Sequence, residues 1–356
     1  MKVYTDLYPQ LCSFENLYLA YRKARKGKRG KASVACFEFE QEKELLRLRD
    51  ELLAETWQPG PYYSFFIHDP KRRLISAAPF RDRVVHHALC NLIEPIWERS
   101  FIKDSYANRV GKGTHRAIQR CSQFAHRYAY VLQCDIEQYF PSIDHAILRA
   151  ELFRRIQDVA TLSLTDKILA SGIGILSPVY EMRWFPGDTL WAANRPRGLP
   201  IGNLTSQFWA NVYLNTLDHF IKRELRCPAH LRYVDDFLLF ADDKMALWRW
   251  KEAIVSRLNR LRLTLHEPQV YPVRAGIPFL GFRIYPTHRR LKKRRGIAFQ
   301  RRIRWLYRRW LAGEIEFRCL DDSARSWVAH AAWGDTYGLR RAVLGAIAQS
   351  GGAKHS

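Results

Sequence analysis

The sequence comprises 356 residues, of which 47% are hydrophobic and 13% aromatic, and this composition excludes an intrinsically disordered protein. The 58 lysines and arginines exceed the 35 aspartates and glutamates by 23, and such an excess favours a polyanionic partner whose phosphates the chain neutralises. No apolar run reaches the roughly 20 residues that span a bilayer, and the N-terminus lacks a secretory signal pattern, so the sequence predicts a cytoplasmic protein without a membrane partner.

The N-terminal region, residues 1–60, is predicted to be basic and helical. Its residues 22–31 form a cation-rich cluster that two glycines interrupt, which favours a loop. A helix is predicted over residues 37–55. The leucines expected on its buried face are Leu45, Leu46, Leu48, Leu52 and Leu53.

A first acidic element lies at residues 130–143. Its apolar residues predict a strand that ends at Asp135, after which the chain continues through residues 139–141 toward a helix. Ser142 or Asp144 is expected to cap this helix, because both side chains can accept hydrogen bonds from its first amides.

A second acidic element, residues 231–242, places two adjacent aspartates between β-prone apolar runs, which predicts a tight hairpin with both carboxylates at its tip. Carboxylates in so apolar a setting repel each other and resist desolvation unless a cation neutralises them. If the strands of the two acidic elements are neighbours in one sheet, three carboxylates converge. We therefore predict a catalytic site in which Asp135, Asp235 and Asp236 hold two Mg²⁺ ions, or Mn²⁺. Ile136, the residue after Asp135, is expected to be a further metal ligand.

The C-terminal region, residues 287–356, is predicted to be a separate basic helical module. Arginines interleave with apolar residues at helical spacing between residues 301 and 310, so a helix there can bury one face and turn guanidinium groups toward a phosphate backbone. The expected buried residues are Ile303, Leu306, Tyr307 and Trp310, and the expected nucleic-acid contacts are Arg301, Arg304 and Arg308. A solvated charged face and a membrane-surface helix are the alternatives.

Several blocks of the sequence resemble the reverse transcriptase family and occur in the family's order. Tyr233-Val234-Asp235-Asp236 resembles its Y-x-D-D box, and residues 135–140 resemble the D-x-x-x-[FY]-[FY] motif of its palm. Residues 71–85 and 105–114 resemble two blocks of its fingers, and residues 279–282 resemble its primer-grip hairpin.

The resemblance implies an α+β fold with the right-hand architecture of polymerases. Residues 61–286 would form fingers and palm from helices and an antiparallel sheet, with residues 1–60 as part of the fingers and residues 287–356 as a helical thumb. The implied activity is RNA-directed DNA synthesis, a nucleotidyl transfer that uses dNTPs, a template RNA and an RNA/cDNA duplex.

The resemblance also assigns roles to individual side chains. Phe140 occupies the place of the family's steric gate, where a bulky ring excludes the 2′-hydroxyl of a ribonucleotide. The expected nucleotide-binding residues are Lys71, Arg73, Arg109, Phe140, Ile201, Gly202 and Gln207, the cationic ones because they suit triphosphate oxygens. Besides the thumb arginines, the expected nucleic-acid contacts are Lys112, Tyr233, Phe279, Leu280 and Gly281.

The block at residues 198–207 indicates a subfamily. Most bacterial reverse transcriptases read P-Q-G-x-x-x-S-P, whereas this chain has Ile201 in place of the glutamine and Gln207 in place of the second proline. The variant resembles the reverse transcriptases of diversity-generating retroelements, which are bacterial or phage-encoded, act with a small basic oligomeric accessory protein, and copy template adenines with errors. An aliphatic residue beside the incoming nucleotide removes hydrogen bonds, which favours lower fidelity.

Alternatives remain open at this level. A lysine that family members commonly carry is replaced by Gln269, and His266 or a water is the candidate substitute. The chain can also be a group II intron, retron or defence-system reverse transcriptase, an RNA-dependent RNA polymerase, or a non-catalytic RNA-binding scaffold with a polymerase fold. Phe140 disfavours the RNA polymerase, and the three aspartates disfavour the scaffold.

Overall fold

Residues 2–68 and 71–352 are described by the computed structural model, with side chains as far as residue 345, and they form a mixed α+β fold. The helices are α1 (Tyr8–Leu11), α2 (Phe14–Arg25), α3 (Ala32–Phe39), α4 (Gln41–Leu53), α5 (Phe80–Glu98), α6 (Thr114–Arg127), α7 (Tyr139–Ser142), α8 (His145–Phe153), α9 (Val159–Ser171), α10 (Leu204–His219), α11 (Lys244–Arg260), α12 (Lys293–Leu311), α13 (Phe317–Ala331) and α14 (Tyr337–Gly352). The strands are β1 (Tyr63–Ile67), β2 (Arg73–Ala77), β3 (Tyr130–Asp135), β4 (Ala229–Tyr233), β5 (Asp236–Ala241), β6 (Gln269–Pro272), β7 (Ile277–Phe279), β8 (Phe282–Ile284) and β9 (Arg289–Leu291). None of the helices in this part of the chain is long and apolar enough to cross a membrane.

The central sheet has four antiparallel strands in the order β4-β5-β3-β6. Its middle strands are rich in residues that suit a pleated, buried surface, and residues 237–240 of β5 are fully buried. The two acidic elements of the sequence are therefore neighbours in one sheet, as the sequence analysis required.

Helices cover this sheet and join the N-terminal region to the rest of the chain. α10 is buried along almost its whole length, and α5 packs against both α10 and α2. One hydrophobic core runs from Leu7 through these helices to Leu263. The N-terminal region is thus part of the main body, since its helices share that core.

The C-terminal helices have a core of their own, formed by Phe299, Ile303, Leu306, Leu320, Trp327, Ala331 and Val343. Ile303 and Leu306 are buried as predicted, and Tyr307 and Trp310 pack against this core while partly exposed. The boundary predicted at residue 287 falls inside the three-stranded sheet β7-β8-β9, because β9 pairs with β8. The helical part begins at Lys293.

Two local predictions were wrong in detail. The helix expected over residues 37–55 is broken at Glu40, and Leu53, expected in the core, is 58% exposed because the buried stripe of α4 consists of Leu45, Leu48 and Leu52. Residues 22–25 belong to α2, so the basic loop begins only at Lys26.

Of the two residues expected to cap the helix after Asp135, Asp144 is the cap of α8. Its carboxylate accepts hydrogen bonds from the amides of Ala146 and Ile147 at 2.9 and 3.2 Å.

Candidate active site

The three predicted aspartates lie at one end of the central sheet. Asp135 closes β3 directly opposite Asp236, and Tyr233 pairs with Asp236 on the other side. Val234 and Asp235 therefore form a two-residue turn, and opposed residues on antiparallel strands have Cβ atoms roughly 4.5–5.5 Å apart. The sequence prediction of a hairpin with both carboxylates at its tip is confirmed.

Val234 has φ +60°, a left-handed conformation that a β-branched residue seldom adopts. Glycine is the usual residue at this first position of such a hairpin turn. The turn that carries the aspartates is therefore strained, and contacts from the surrounding structure must hold it.

Burial and mutual repulsion oppose ionisation of the paired aspartates. Burial, then the charges of Asp135 and Asp235, raise the pKa of Asp236 to about 7. Burial and Asp135 also raise the pKa of Asp235 to about 6, and Arg73 partly counteracts this rise. The Oδ1 atom of Asp236 is buried without a hydrogen-bond partner. A buried carboxylate oxygen of this kind is costly unless a proton or a cation compensates it.

No group of three or more His, Cys, Asp or Glu side chains in the described ranges is already arranged to hold a metal ion. The residues nevertheless fit a divalent cation, because hard carboxylate oxygens are the ligands that Mg²⁺ and Mn²⁺ prefer and one of them lacks any partner. The Ile136 side chain is buried, so this residue could offer only its main-chain carbonyl.

The strand β2 is fixed against the block at residues 198–207. The Ser76 amide donates to the Ile201 carbonyl at 2.8 Å. The buried Asn203 donates to the Ser76 carbonyl at 2.9 Å and accepts from the Ala78 amide at 3.0 Å. Gly202 has φ +123°, and a Cβ there would lie 3.1 Å from a methyl group of Ile75. Asn203 was missed as a site residue, although its short polar side chain inside an apolar block was a usable signal.

Phe140 joins the same assembly. Its carbonyl accepts from the Leu199 amide at 2.9 Å, and its half-buried ring lies 5.6 Å from the ring of Tyr139. Gln207 is half-buried in the first turn of α10. Phe140, Ile201 and strand β2 are therefore connected through main-chain hydrogen bonds and the side chain of Asn203.

Arg109 does not lie where a triphosphate ligand is expected. Its side chain is 5% exposed, and it binds the Glu98 carboxylate at 2.6 Å and the carbonyls of Ile102 and Ser105 at 2.7 and 2.8 Å. These contacts occupy its guanidinium inside the protein, so the prediction that Arg109 binds nucleotide was wrong. Lys112 instead lies at the surface, with Nζ 2.7 Å from the Lys103 carbonyl, and Lys71 is exposed.

The expected primer-grip segment is a tight hairpin between β7 and β8. Leu280 and Gly281 have φ +45° and +94°, the signs of a type I′ turn. A Cβ at Gly281 would lie 2.6 Å from the Arg295 guanidinium, and the Lys292 amide donates to the Gly281 carbonyl at 3.0 Å. Phe279 is buried, so its ring belongs to the core and cannot contact nucleic acid as predicted.

Lys292 is a further residue that the sequence analysis missed. Its charge partly counteracts the raised pKa of Asp236. The only sequence signal was its membership of the basic run at residues 288–295.

The structure also shows the surroundings of Gln269, which stands where family members commonly carry a lysine. Gln269 opens β6 opposite Gln133, and it is exposed. The His266 amide donates to the Asp135 carbonyl at 2.9 Å, while its ring lies 3.5 Å from the Glu137 carboxylate and is 59% exposed. His266 is thus anchored beside Asp135 through its main chain.

The basic surface of α12 matches the prediction. Arg301, Arg304 and Arg308 are exposed, opposite the buried Ile303 and Leu306. Tyr233, another expected nucleic-acid contact, is half-buried, and its hydroxyl lies 2.9 Å from the hydroxyl of Thr114.

Paired carboxylates at the end of a buried hairpin, a third carboxylate on the adjoining strand and the charge of Arg73 are the features expected of a nucleotidyl-transfer polymerase. The profile of the family described as reverse transcriptase (RNA-dependent DNA polymerase) matches residues 68–284, which is more than half of the chain. The chain belongs to this reverse transcriptase family.

The chain is also similar to individual proteins. The chain is 26% identical to protein YkfC of Escherichia coli over 302 residues, which cover 72% of this chain and 74% of YkfC. It is also 26% identical to the group II intron-encoded protein LtrA of Lactococcus lactis over 227 residues, which cover 62% of this chain but only 36% of LtrA. Among solved structures, apo telomerase from Candida tropicalis is similar with a TM-score of 0.48 and 12% identity, over 68% of this chain and 59% of that chain.

Proposed function

We propose that the chain synthesises cDNA on an RNA template by two-metal-ion nucleotidyl transfer at Asp135, Asp235 and Asp236. The observation that carries this proposal is the buried, unpartnered Oδ1 of Asp236 directly opposite Asp135. Divalent cations bound there, Mg²⁺ or Mn²⁺, would activate a primer 3′-hydroxyl and neutralise charge on the leaving pyrophosphate. The three aspartates would hold the ions, with the Ile136 carbonyl as a further oxygen.

In this proposal the central sheet is the palm, β1 and β2 with the N-terminal helices are the fingers, and α12 to α14 are the thumb. Arg73 is well placed to meet a triphosphate, because its charge reaches Asp235. Lys71 would add a second cation from the same strand region. Ile201, Gly202 and Gln207 would surround the incoming base.

Phe140 would act as the steric gate against ribonucleotides. Substitution of Phe140 by Ala should raise the incorporation of ribonucleotides relative to dNTPs, because the smaller side chain leaves room for a 2′-hydroxyl. Substitution of Phe153, an apolar ring on α8 that packs outside this assembly, by Ala is the control. Unchanged discrimination in the Phe140 variant would contradict the role.

The RNA/cDNA duplex would run from Tyr233 and the turn at Leu280 and Gly281 toward the thumb. Arg301, Arg304 and Arg308 present charge along one exposed helix face, and each phosphate they neutralise releases counterions. Lys112 would contact the template backbone. Weakening of duplex binding with rising salt should become less steep when these arginines are replaced.

The primary test replaces Asp235 and Asp236 by Ala and measures primer extension on RNA. A matched control exists at the far end of β5, where Asp242 and Asp243 form a second Asp-Asp pair. These carboxylates accept from main-chain amides, and Asp243 also pairs with the exposed Arg249 at 3.7 Å. We expect the first double variant to lose extension and the second to retain it, with a modest loss of stability from the missing helix cap. Extension that persists unchanged in the first variant would contradict the catalytic role of these aspartates. A wild-type protein that binds RNA but extends no primer would instead be a non-catalytic RNA-binding scaffold.

We propose further that synthesis is error-prone at template adenines, as in diversity-generating retroelements, with a retroelement RNA as template and a small basic oligomeric accessory protein as partner. The support is Ile201, whose main chain is fixed to β2 while its side chain offers no hydrogen bond to a base.

The fidelity test compares wild type, Ile201→Gln and the volume-conserving Ile201→Leu on one defined RNA, followed by sequencing of the cDNA. Errors at adenines should fall in the Gln variant and persist in the Leu variant. Equal, low error in all three enzymes would reject the subfamily and leave the polymerase proposal intact.

A group II intron-like role is the second candidate, because the group II intron-encoded protein LtrA and a nuclear intron maturase of Arabidopsis thaliana are among the relatives. The RNA that co-purifies with the protein distinguishes the two. An intron RNA favours this second role, whereas a repeat-associated RNA whose cDNA differs at adenines favours the first.

A further inference from the structure

Arg232 lies in β4, just before the catalytic hairpin turn, and its side chain is fully buried. Its Nε and Nη2 donate to the two carboxylate oxygens of Asp218 at 2.9 and 2.7 Å. Its Nη1 donates to Asn211 Oδ1 and to the carbonyl of Val234, both at 3.0 Å. The guanidinium thus connects a helix to the turn through direct hydrogen bonds.

The bond to the Val234 carbonyl has a specific consequence. That carbonyl belongs to the peptide whose nitrogen is the amide of Asp235. Val234 is held at φ +60°, and a relaxation of this strained φ rotates the chain about the N–Cα bond of Val234, which displaces its carbonyl oxygen. A fixed carbonyl oxygen prevents that rotation.

The anchor on the other side is rigid. Asp218 and Asn211 both belong to the buried helix α10, and Asp218 also bonds His230 Nε2 at 2.9 Å. Burial opposes ionisation of Asp218, but Arg232 and His230 together hold its pKa down to about 2. Asn211 donates in turn to the Ala107 carbonyl at 2.9 Å. The guanidinium is therefore itself fixed in orientation by helix α10.

We propose that Arg232 is a positioning residue that, through its bond to the Val234 carbonyl, holds the Asp235–Asp236 turn in the conformation that binds divalent cations. This inference rests on the proposed function of those aspartates. A buried ion pair by itself seldom stabilises a fold more than apolar residues of equal size. The distinctive feature of Arg232 is therefore its hydrogen bond to the Val234 carbonyl, not its ion pair with Asp218.

The experiment measures Mn²⁺ binding to metal-free protein by electron paramagnetic resonance, alongside urea unfolding. Arg232→Lys keeps a charge for Asp218 but lacks the planar fork that reaches the turn as well. Arg232→Met combined with Asp218→Asn removes the ion pair without leaving a buried charge. Arg195→Lys is the matched control, since Arg195 is also buried, pairs with Asp188 and Asp144, and makes no contact with the turn.

We expect both Arg232 variants to bind Mn²⁺ at least about tenfold more weakly, as is typical when a residue that orients a ligand is lost, and the control to bind as wild type does. Wild-type affinity in either folded Arg232 variant would overturn the proposal. Failure of both variants to fold would also overturn it, because Arg232 would then serve stability alone. Primer extension by wild type separately tests the proposed function, and its absence would not alter the Mn²⁺ comparison.

Discussion

Substitution of Asp236 by Asn should stabilise the metal-free protein at neutral and higher pH. In the folded chain the pKa of Asp236 is raised from 3.8 to about 7, first by burial and then by Asp135 and Asp235. Because the unfolded chain releases this proton at lower pH than the folded chain, stability is lost as pH rises from about 4 to about 7. Each pKa unit is worth about 1.4 kcal/mol, so the loss in wild type is about 4 kcal/mol by pH ~8.

An amide at position 236 does not ionise, so the variant should escape most of this loss. Urea unfolding in EDTA should show that the stability difference between Asp236→Asn and wild type grows by about 3 kcal/mol between pH ~4 and pH ~8. Asp50→Asn is the control, because the Asp50 side chain is 66% exposed. A difference between Asp236→Asn and wild type that does not change with pH would refute the conclusion that burial and the neighbouring carboxylates raise the pKa of Asp236.

Three further outcomes are expected. Mg²⁺ should raise the melting temperature of wild type but not that of the double Ala variant of the hairpin aspartates, because an ion that binds only the folded state stabilises it by mass action. In urea unfolding, Leu52→Ala should cost about 2–5 kcal/mol and Leu53→Ala less than about 0.5 kcal/mol, since Leu52 is buried and Leu53 is exposed; equal losses would contradict the assigned face of α4. Gly281→Ala should lower the melting temperature more than Gly313→Ala, because both have positive φ but only Gly281 faces a guanidinium within 3 Å; similar losses would show that Arg295 moves aside freely.

Local sequence patterns predict some elements of this chain correctly and fail to predict others. The strand before Asp135 and the hairpin at Asp235 were predictable because their β-prone runs and polar interruptions follow local rules of strand and turn formation. The break at Glu40 and the exposure of Leu53 were not, because a continuous helical pattern does not reveal where it is interrupted or which leucines meet α2 and α3. Tertiary contacts made that choice.

The same limit applies to the site. Arg109 and Arg73 are both arginines in blocks that resemble fingers motifs, yet Glu98 and two carbonyls enclose the first, while the second lies near Asp235. The sequence does not distinguish these two arginines, because Glu98, the carboxylate that pairs with Arg109, lies outside the block at residues 105–114. Lys292 and Arg232 were overlooked because their partners are not local: the charge of Lys292 acts on Asp236, and Arg232 bonds Asp218 and Asn211 of α10 only in the folded chain.

The sequence by itself determined the reverse transcriptase family, the three aspartates and the basic C-terminal helix, since each depends on residue types at short spacing. The tertiary structure decided the register that sets Asp135 opposite Asp236, the unpartnered oxygen between them, and the buried guanidinium that holds their turn. Those features depend on strands and helices that lie far apart in the chain. Their energetic effects arise from burial, and a side chain is buried only once the chain has folded.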